Sequence, residues 1–219
     1  MKGLLVKDGL LIKNQYKTLP LLLACGFIMA FSMEAFTAMI YVAVIGAMVA
    51  LGTIAYDEFE HGYTYLLSLP VSRKTYVREK YLFAVLWGLS CIILGLIMDM
   101  AAALIKGTFP LAGAGDIAAA LGGAAAMLLI MLSVTIPARI KFGSEKSSIV
   151  LFVFAGLIAA LFAAFRYGKF FPASWGEKIR RLPETSGTGV LIAAVLAAAV
   201  LILALSEQLS ERIMAKKEF

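Results

Sequence analysis

Residues 18–56 read TLPLLLACGFIMAFSMEAFTAMIYVAVIGAMVALGTIAY, and Glu34 is the one charged residue among them. The stretch has 39 residues, whereas a helix that crosses a bilayer needs about 20. Two helices joined by a tight turn near residues 32–36 therefore fit this length. The turn also keeps the Glu34 carboxylate at the membrane surface, because a single long helix would bury it in hydrocarbon at a cost of several kcal/mol.

The composition of the whole chain agrees with this interpretation. Of 219 residues, 62% are apolar and 16% are charged, and the mean hydropathy is +0.91. Soluble domains are about 45–50% apolar and about 25% charged. The net charge of +6 comes from basic residues in short gaps between apolar runs, which is typical of membrane proteins. We therefore expect membrane lipid, and no nucleic acid, as a partner.

Four further apolar runs complete the predicted fold. They are residues 82–105, 117–138, 147–165 and 187–205. The chain is thus predicted to be an all-α membrane protein with six transmembrane helices in one transmembrane domain, residues 1–219. Pro137 is expected to end the fourth span, because proline interrupts helices. Residues 139–148 then form a short basic loop.

Residues 1–17 are predicted to form an amphipathic helix before the first span. Leu4, Leu5 and Leu11 fall on one arc at about 100° per residue, whereas lysines lie on the other side. Asp8 interrupts the apolar arc. A basic amphipathic helix is expected to lie in the membrane interface.

The distribution of Lys and Arg predicts the orientation. One side of the membrane holds 14 of them and the other side holds 6, and the richer side is expected to be cytoplasmic. Both termini are therefore predicted to be cytoplasmic. The cytoplasmic segments are residues 1–17, 57–80, 139–148 and 206–219. The outer segment 166–186 is basic and amphipathic.

The polar residues give no indication of catalysis. A phosphate-binding G-x-x-x-x-G-K-[ST] loop does not occur, and His61 is the only histidine. Cys25 and Cys91 lie inside apolar runs, where packing is the simplest role. Asp99 and Asp116 lie near the outer ends of spans, where helix capping or solvation explains them. We expect no enzyme activity and no cofactor or metal on this chain.

The segment 57–80 is the informative interruption, and it reads DEFEHGYTYLLSLPVSRKTYVREK. Its centre holds a short apolar patch that includes Tyr63 and ends at Pro70, and Ser72 is placed to start a second helix. A short apolar helix between charged flanks is typical of a docking surface for another protein. The alternative is a loop that folds back on its own bundle or on the membrane surface.

This segment resembles one found in bacterial permease subunits of ABC-2 type transporters. The resemblance rests on YDEFEHG, residues 56–62, followed by LLSLPVSRKTYVREKY, residues 66–81. It extends over the chain through an amphipathic start, six spans, a cytoplasmic loop after the second span and an outer segment before the sixth. It implies an ATP-driven exporter of the bacterial cytoplasmic membrane, in which a separate subunit carries the ATPase activity, ATP and Mg²⁺.

The resemblance also implies that the 57–80 loop holds a coupling helix, which transmits motion between the subunits. The loop would contact a cytoplasmic ATP-binding subunit, and a second permease chain, identical or paralogous, would complete the transporter. The implied contact residues are Leu66, Leu67, Leu69, Pro70, Val71, Arg73, Lys74 and Arg78. Apolar spans with scattered hydroxyls suit an amphipathic cargo, for which a peptide is the leading candidate. The alternative function is a membrane scaffold or sensor that recruits a cytoplasmic partner without transport.

Overall fold

The computed structural model is helical throughout the residues that it describes. These are residues 2–14, 18–32, 36–58, 72–107, 113–167 and 188–216. Six helices occupy them, and no strand occurs among these ranges. The helices are α1 Lys2–Asn14, α2 Thr18–Ser32, α3 Thr37–Glu58, α4 Arg73–Ile105, α5 Ala114–Tyr167 and α6 Thr188–Lys216.

Four helical segments are long and apolar enough to cross a membrane. They are Thr37–Glu58, Arg73–Ile105, Gly115–Gly143 and Gly189–Lys216. Pro20–Ser32 is a shorter apolar helix. The predicted all-α class is therefore confirmed for the described residues, with four candidate spans, whereas six spans and an interfacial α1 stay predictions. Residues 147–165, predicted as the fifth span, are helical. They lie in the part of α5 that follows a break at Gly143, which we call the second arm of α5.

The apolar stretch 18–56 forms two separate helices, as predicted, and α4 holds the end of α2 and the start of α3. Most of the turn predicted near residues 32–36 lies outside the described residues. α2 ends at Ser32 and α3 begins at Thr37. The Asp99 carboxylate accepts a 2.9 Å hydrogen bond from the Met39 amide in the first turn of α3. Lys106 Nζ donates a 2.9 Å bond to the Ala30 carbonyl in the last turn of α2. The anion thus meets a helix N-terminus and the cation a helix C-terminus, as the helix dipoles favour.

Asp116 also contributes to a helix end, in a different position from the one predicted. α5 begins at Ala114, so Asp116 lies in the first turn and not before it. Its carboxylate accepts a 3.0 Å hydrogen bond from the Gly113 amide. This is the side-chain half of a capping box, in which the third helical residue reaches back to the N-cap.

Pro137 does not end the fourth span, which corrects the sequence-based prediction. α5 continues through Pro137 and breaks only at Gly143, where φ is 81° and ψ is 172°. Because proline has no N–H, the carbonyl of Ser133 loses its helical partner. The Ser206 hydroxyl of α6 donates a 2.5 Å hydrogen bond to that carbonyl. A neighbouring helix therefore supplies the donor that the proline removes, as membrane helices require.

Small residues let α3 and α4 approach closely. The Cβ atom of an alanine at Gly95 would lie 2.5 Å from the Met39 Cα atom and 3.1 Å from the Ala38 carbonyl oxygen. At Gly46 the new Cβ atom would collide with the Cys91 sulfur. Small residues at helix interfaces are a general device for packing in lipid. Gly95 therefore lies directly against the backbone of α3 in the first turn of that helix.

We predict that Gly95→Ala destabilises the bundle by about 1–3 kcal/mol, because the obstructing atoms belong to the backbone of α3 and not to a flexible side chain. Gly52→Ala is the matched control, since no atom lies within 4 Å of its new Cβ. The control is expected to gain up to about 1 kcal/mol from helix propensity. Thermal unfolding in detergent measures both. Equal midpoints for the two variants would contradict the close contact.

Candidate functional site

The structure describes only part of the segment predicted to bind a partner. Residues 59–71 lie outside the described residues, and with them Leu66, Leu67, Leu69, Pro70 and Val71. α3 extends to Glu58 and α4 begins at Arg73. The predicted interruption 57–80 is therefore helical at both ends.

Ser72 starts α4, as the sequence predicts. Its backbone is extended, with φ −75° and ψ 149°, and its hydroxyl accepts a 3.1 Å hydrogen bond from the Thr75 amide. This is the geometry of a serine N-cap, which satisfies one of the free amides of the first turn.

Two of the three predicted rim charges contact the last turns of α6. Arg73 Nη1 donates to the carbonyl oxygens of Ala215, at 2.9 Å, and Met214, at 3.3 Å. Arg78 Nε lies 2.8 Å from Glu211 Oε1 and 3.6 Å from Glu207 Oε1. Lys74 is exposed. Hydrogen bonds and an ion pair therefore join the start of α4 to the end of α6, next to the 59–71 segment.

A cluster of charged side chains lies inside the bundle beside the same segment. The ionic cluster consists of Lys7, Asp8, Asp57, Glu79 and Lys80. It joins α1, the end of α3 and the first two turns of α4. The side chains of Asp8 and Glu79 are fully buried and that of Lys80 is 1% exposed.

Lys80 is the centre of the ionic cluster. Its ammonium contacts Asp8 Oδ2, lies 2.7 Å from Asp57 Oδ2, and donates to Thr53 Oγ1 at 3.3 Å. Lys7 pairs with Asp57 and lies 3.4 Å from Asp8 Oδ1. Removing one member of such a buried pair is expensive, because it leaves the other charge uncompensated.

Two hydroxyls complete the network. Thr53 Oγ1 donates to Asp8 Oδ2 at 3.1 Å, and the Tyr76 hydroxyl donates to Asp57 Oδ2 at 3.0 Å. Residues from three helices therefore converge on two aspartates. Asp57 and Lys80 belong to the two helices that flank the undescribed segment, so the network joins its two ends.

The ionic cluster was not predicted from the sequence. Asp8 stood out only as a flaw in the apolar arc of α1. In the structure Leu4, Asp8 and Ile12 are all buried, and their spacing of four places them on one face that packs against α3 and α4. A charge at the centre of such a face needs a buried partner. That requirement, together with the position of Lys80 close before an apolar run, is the sequence feature that could have indicated a buried ion pair.

The break in α5 lies against the end of α3. A Cβ atom at Gly143 would lie 2.6 Å from Glu58 Oε1, and Arg139 Nη1 donates a 2.7 Å hydrogen bond to the Leu51 carbonyl. The predicted basic loop 139–148 is therefore helical on both sides of one broken residue. It contacts the same helix end that leads into the 59–71 segment.

An apolar cavity of about 250 Å³ lies between α2, α3 and α4. Its lining residues are Leu22, Leu23, Gly46, Val49, Trp87, Ser90, Cys91 and Leu94. The Ser90 hydroxyl donates to the Leu86 carbonyl of its own helix at 2.9 Å, so its one proton is not available to a molecule in the cavity. The cavity therefore suits an apolar group.

These features are those of a helical membrane protein, in which several charged side chains of the described residues are paired between helices. The chain belongs to the ABC-2 family transporter proteins, whose sequence model matches residues 3–215. It has no match among the curated proteins or the solved structures that were compared. The family assignment confirms the resemblance to ABC-2 permeases. Such permeases are membrane components of transporters that generally work with an ATP-binding subunit.

We predict that Lys80→Met destabilises the protein by about 3–5 kcal/mol, because Asp8 and Asp57 lose their buried cation. Arg78→Met is the matched control, since the Arg78 side chain is 56% exposed and exposed ion pairs contribute about 0–1 kcal/mol. Thermal unfolding in detergent at constant pH compares them. A loss no larger than that of the control would show that the ionic cluster does not hold α1 and α4 together.

Gly143→Ala tests the break in α5. The combination of φ 81° and ψ 172° is accessible essentially to glycine alone, and the strain amounts to about 1–3 kcal/mol. The contact with Glu58 adds to this loss. Gly123→Ala in the same helix has open space around its Cβ atom and is expected to be neutral or stabilising. Chemical denaturation in mixed micelles measures both, and equal stability would mean that residue 143 adopts another conformation.

Proposed function

We propose that this chain is the membrane-spanning permease subunit of an ATP-driven exporter. Two permease chains, identical or paralogous, assemble with two ATP-binding subunits, which bind ATP and Mg²⁺ and carry the hydrolysis. The complex lies in the bacterial cytoplasmic membrane. α2, the second arm of α5 and the four long apolar segments supply six spans, with both termini in the cytoplasm.

The observation that carries this proposal is the anchoring of the 59–71 segment at both of its ends. Asp57 and Glu58 precede the segment, and Ser72 and Arg73 follow it. The ionic cluster fixes the first end to α1 and α4, and Arg73 fixes the second end to α6. A displacement of the segment by a partner would therefore move four helices together, which a free surface loop would not do.

The 59–71 segment contacts the ATP-binding subunit in this proposal. Leu66, Leu67, Leu69, Pro70 and Val71 supply the apolar contact, and Lys74 is an exposed rim charge. Arg73 and Arg78 have a second role, because they join the contact to α6. The segment around Gly143 is a smaller second contact, which is supported by the position of Glu58 against it.

The cargo is an amphipathic molecule, for which we propose a peptide. The hydroxyls of Ser90, Ser133 and Thr135 all donate to carbonyls of their own helices. Because these hydroxyl protons are used within their own helices, the helix surfaces around them offer mainly apolar atoms to a passing molecule. The cavity between α2, α3 and α4 offers room for an apolar side chain.

A double substitution, Leu66→Asp with Leu69→Asp, tests the coupling role. Two carboxylates in an apolar contact are expected to abolish co-purification of the ATP-binding subunit and to reduce ATP hydrolysis in proteoliposomes to that of the isolated subunit. Lys74→Glu is expected to weaken binding less, since rim charges contribute less. Lys216→Glu, in the last turn of α6, is the control outside the segment.

Unchanged co-purification and hydrolysis in the double variant would contradict the coupling assignment. Reconstitution separates the exporter from the scaffold. A scaffold would lose its partner in the double variant, yet the unmodified complex would show no ATP-dependent movement of an amphipathic peptide across the proteoliposome membrane.

A further inference from the structure

Glu79 is the member of the ionic cluster that lacks hydrogen bonds. Its side chain is fully buried, and neither carboxylate oxygen has a hydrogen-bond partner among the described residues. The nearest cation is Lys80, whose Nζ atom lies 4.0 Å from Oε2. That ammonium already contacts both aspartates of the ionic cluster.

The charges around Glu79 do not balance if its carboxylate is ionised. The charged groups that interact electrostatically with Glu79 are Lys7 and Asp8 on α1, Asp57 on α3 and Lys80 on its own helix. The uncharged Tyr76 hydroxyl is directed at Asp57. Two cations therefore face three carboxylates. An unpaired ionised carboxylate in a dry interior is far less stable than a neutral one. A proton on Glu79 leaves two cations and two ionised carboxylates, so the charges balance.

We propose that Glu79 is a proton-binding site that is filled while α1 is docked, and that loss of this proton releases α1. Docking of α1 places Asp8 beside Glu79 and excludes water, and both effects favour the neutral carboxyl. Lys7 arrives on the same helix, but it pairs with Asp57 and Asp8. An ionised Glu79 would compete with Asp8 for Lys80 and weaken the docking of α1.

The sign of the pH effect follows from the proton count. The docked form binds one proton more than the undocked form, so docking is favoured at low pH and weakens as the pH rises. One linked proton changes the docking equilibrium by up to about tenfold per pH unit. The inference rests on the bundle alone, so it holds or fails independently of the proposed exporter function.

Cysteine alkylation of α1 tests the proposal in the full chain reconstituted in lipid nanodiscs. Ile12→Cys places a thiol at a position that is 1% exposed, and Lys13→Cys places one at an exposed position of the same helix. The ratio of their iodoacetamide rates cancels the pH dependence of the reagent chemistry. Mass spectrometry of the α1 peptide separates both thiols from Cys25 and Cys91.

The protection of the thiol in Ile12→Cys relative to the thiol in Lys13→Cys is expected to fall steeply between about pH 6 and pH 9 in the otherwise unmodified chain. Glu79→Gln copies the neutral carboxyl and is expected to keep full protection at every pH. Glu79→Asp keeps a titratable group and should keep the slope, as should Glu211→Gln on α6. A flat profile in the unmodified chain, an unchanged slope in Glu79→Gln, or loss of docking in Glu79→Gln would each overturn the proposal.

Discussion

The ammonium of Lys80 is the group on which the packing of α1 against α3 and α4 depends. It lies at the start of an apolar helix and is nearly inaccessible to water, so it must be neutralised by protein groups. Asp8 and Asp57 do this from two other helices. Without the Lys80 cation, two buried aspartates would share Lys7 as their only cation among the described residues, which is unfavourable. The position of α1 against α3 and α4 is therefore fixed by electrostatics as well as by the packing of Leu4 and Ile12.

Three further side chains, Asp99, Lys106 and Ser206, meet a similar constraint by pairing with backbone groups of neighbouring helices. A bilayer offers no water to unpaired carbonyls and amides, so neighbouring helices must supply their partners. Asp99 and Lys106 on α4 serve the two helix ends at the α2–α3 turn, and Ser206 serves the carbonyl that Pro137 leaves free. In each case one side chain both satisfies a backbone group and sets the register of two helices. These polar side chains thus serve mainly to fix the positions of neighbouring helices relative to one another.

The four long apolar helices were predictable because their signal is local. An apolar run such as residues 18–56 requires two helices by length alone. Ser72 indicates a helix start because an N-cap is recognised from the residues next to it. Pro137 was misread for the opposite reason. The residue that rescues its helix, Ser206, lies 69 positions later in the chain. The ionic cluster was missed in the same way, because Asp8 and Lys80 are meaningful only as a pair, and nothing in a single sequence pairs them.

Buried ion pairs are a weak source of stability, since desolvation offsets much of the Coulomb attraction. Apolar side chains at the positions of Asp8 and Lys80 would hold α1 as firmly, so stability alone does not account for the charges. Ionic contacts differ from apolar ones in having discrete alternatives, because a cation can exchange one carboxylate for another. Lys80 has three carboxylates within reach, on α1, α3 and its own helix. Exchange of Lys80 between these carboxylates would give the helices beside the 59–71 segment discrete alternative positions. The proposed coupling role requires this property, because a two-state element is what transmits a partner's motion.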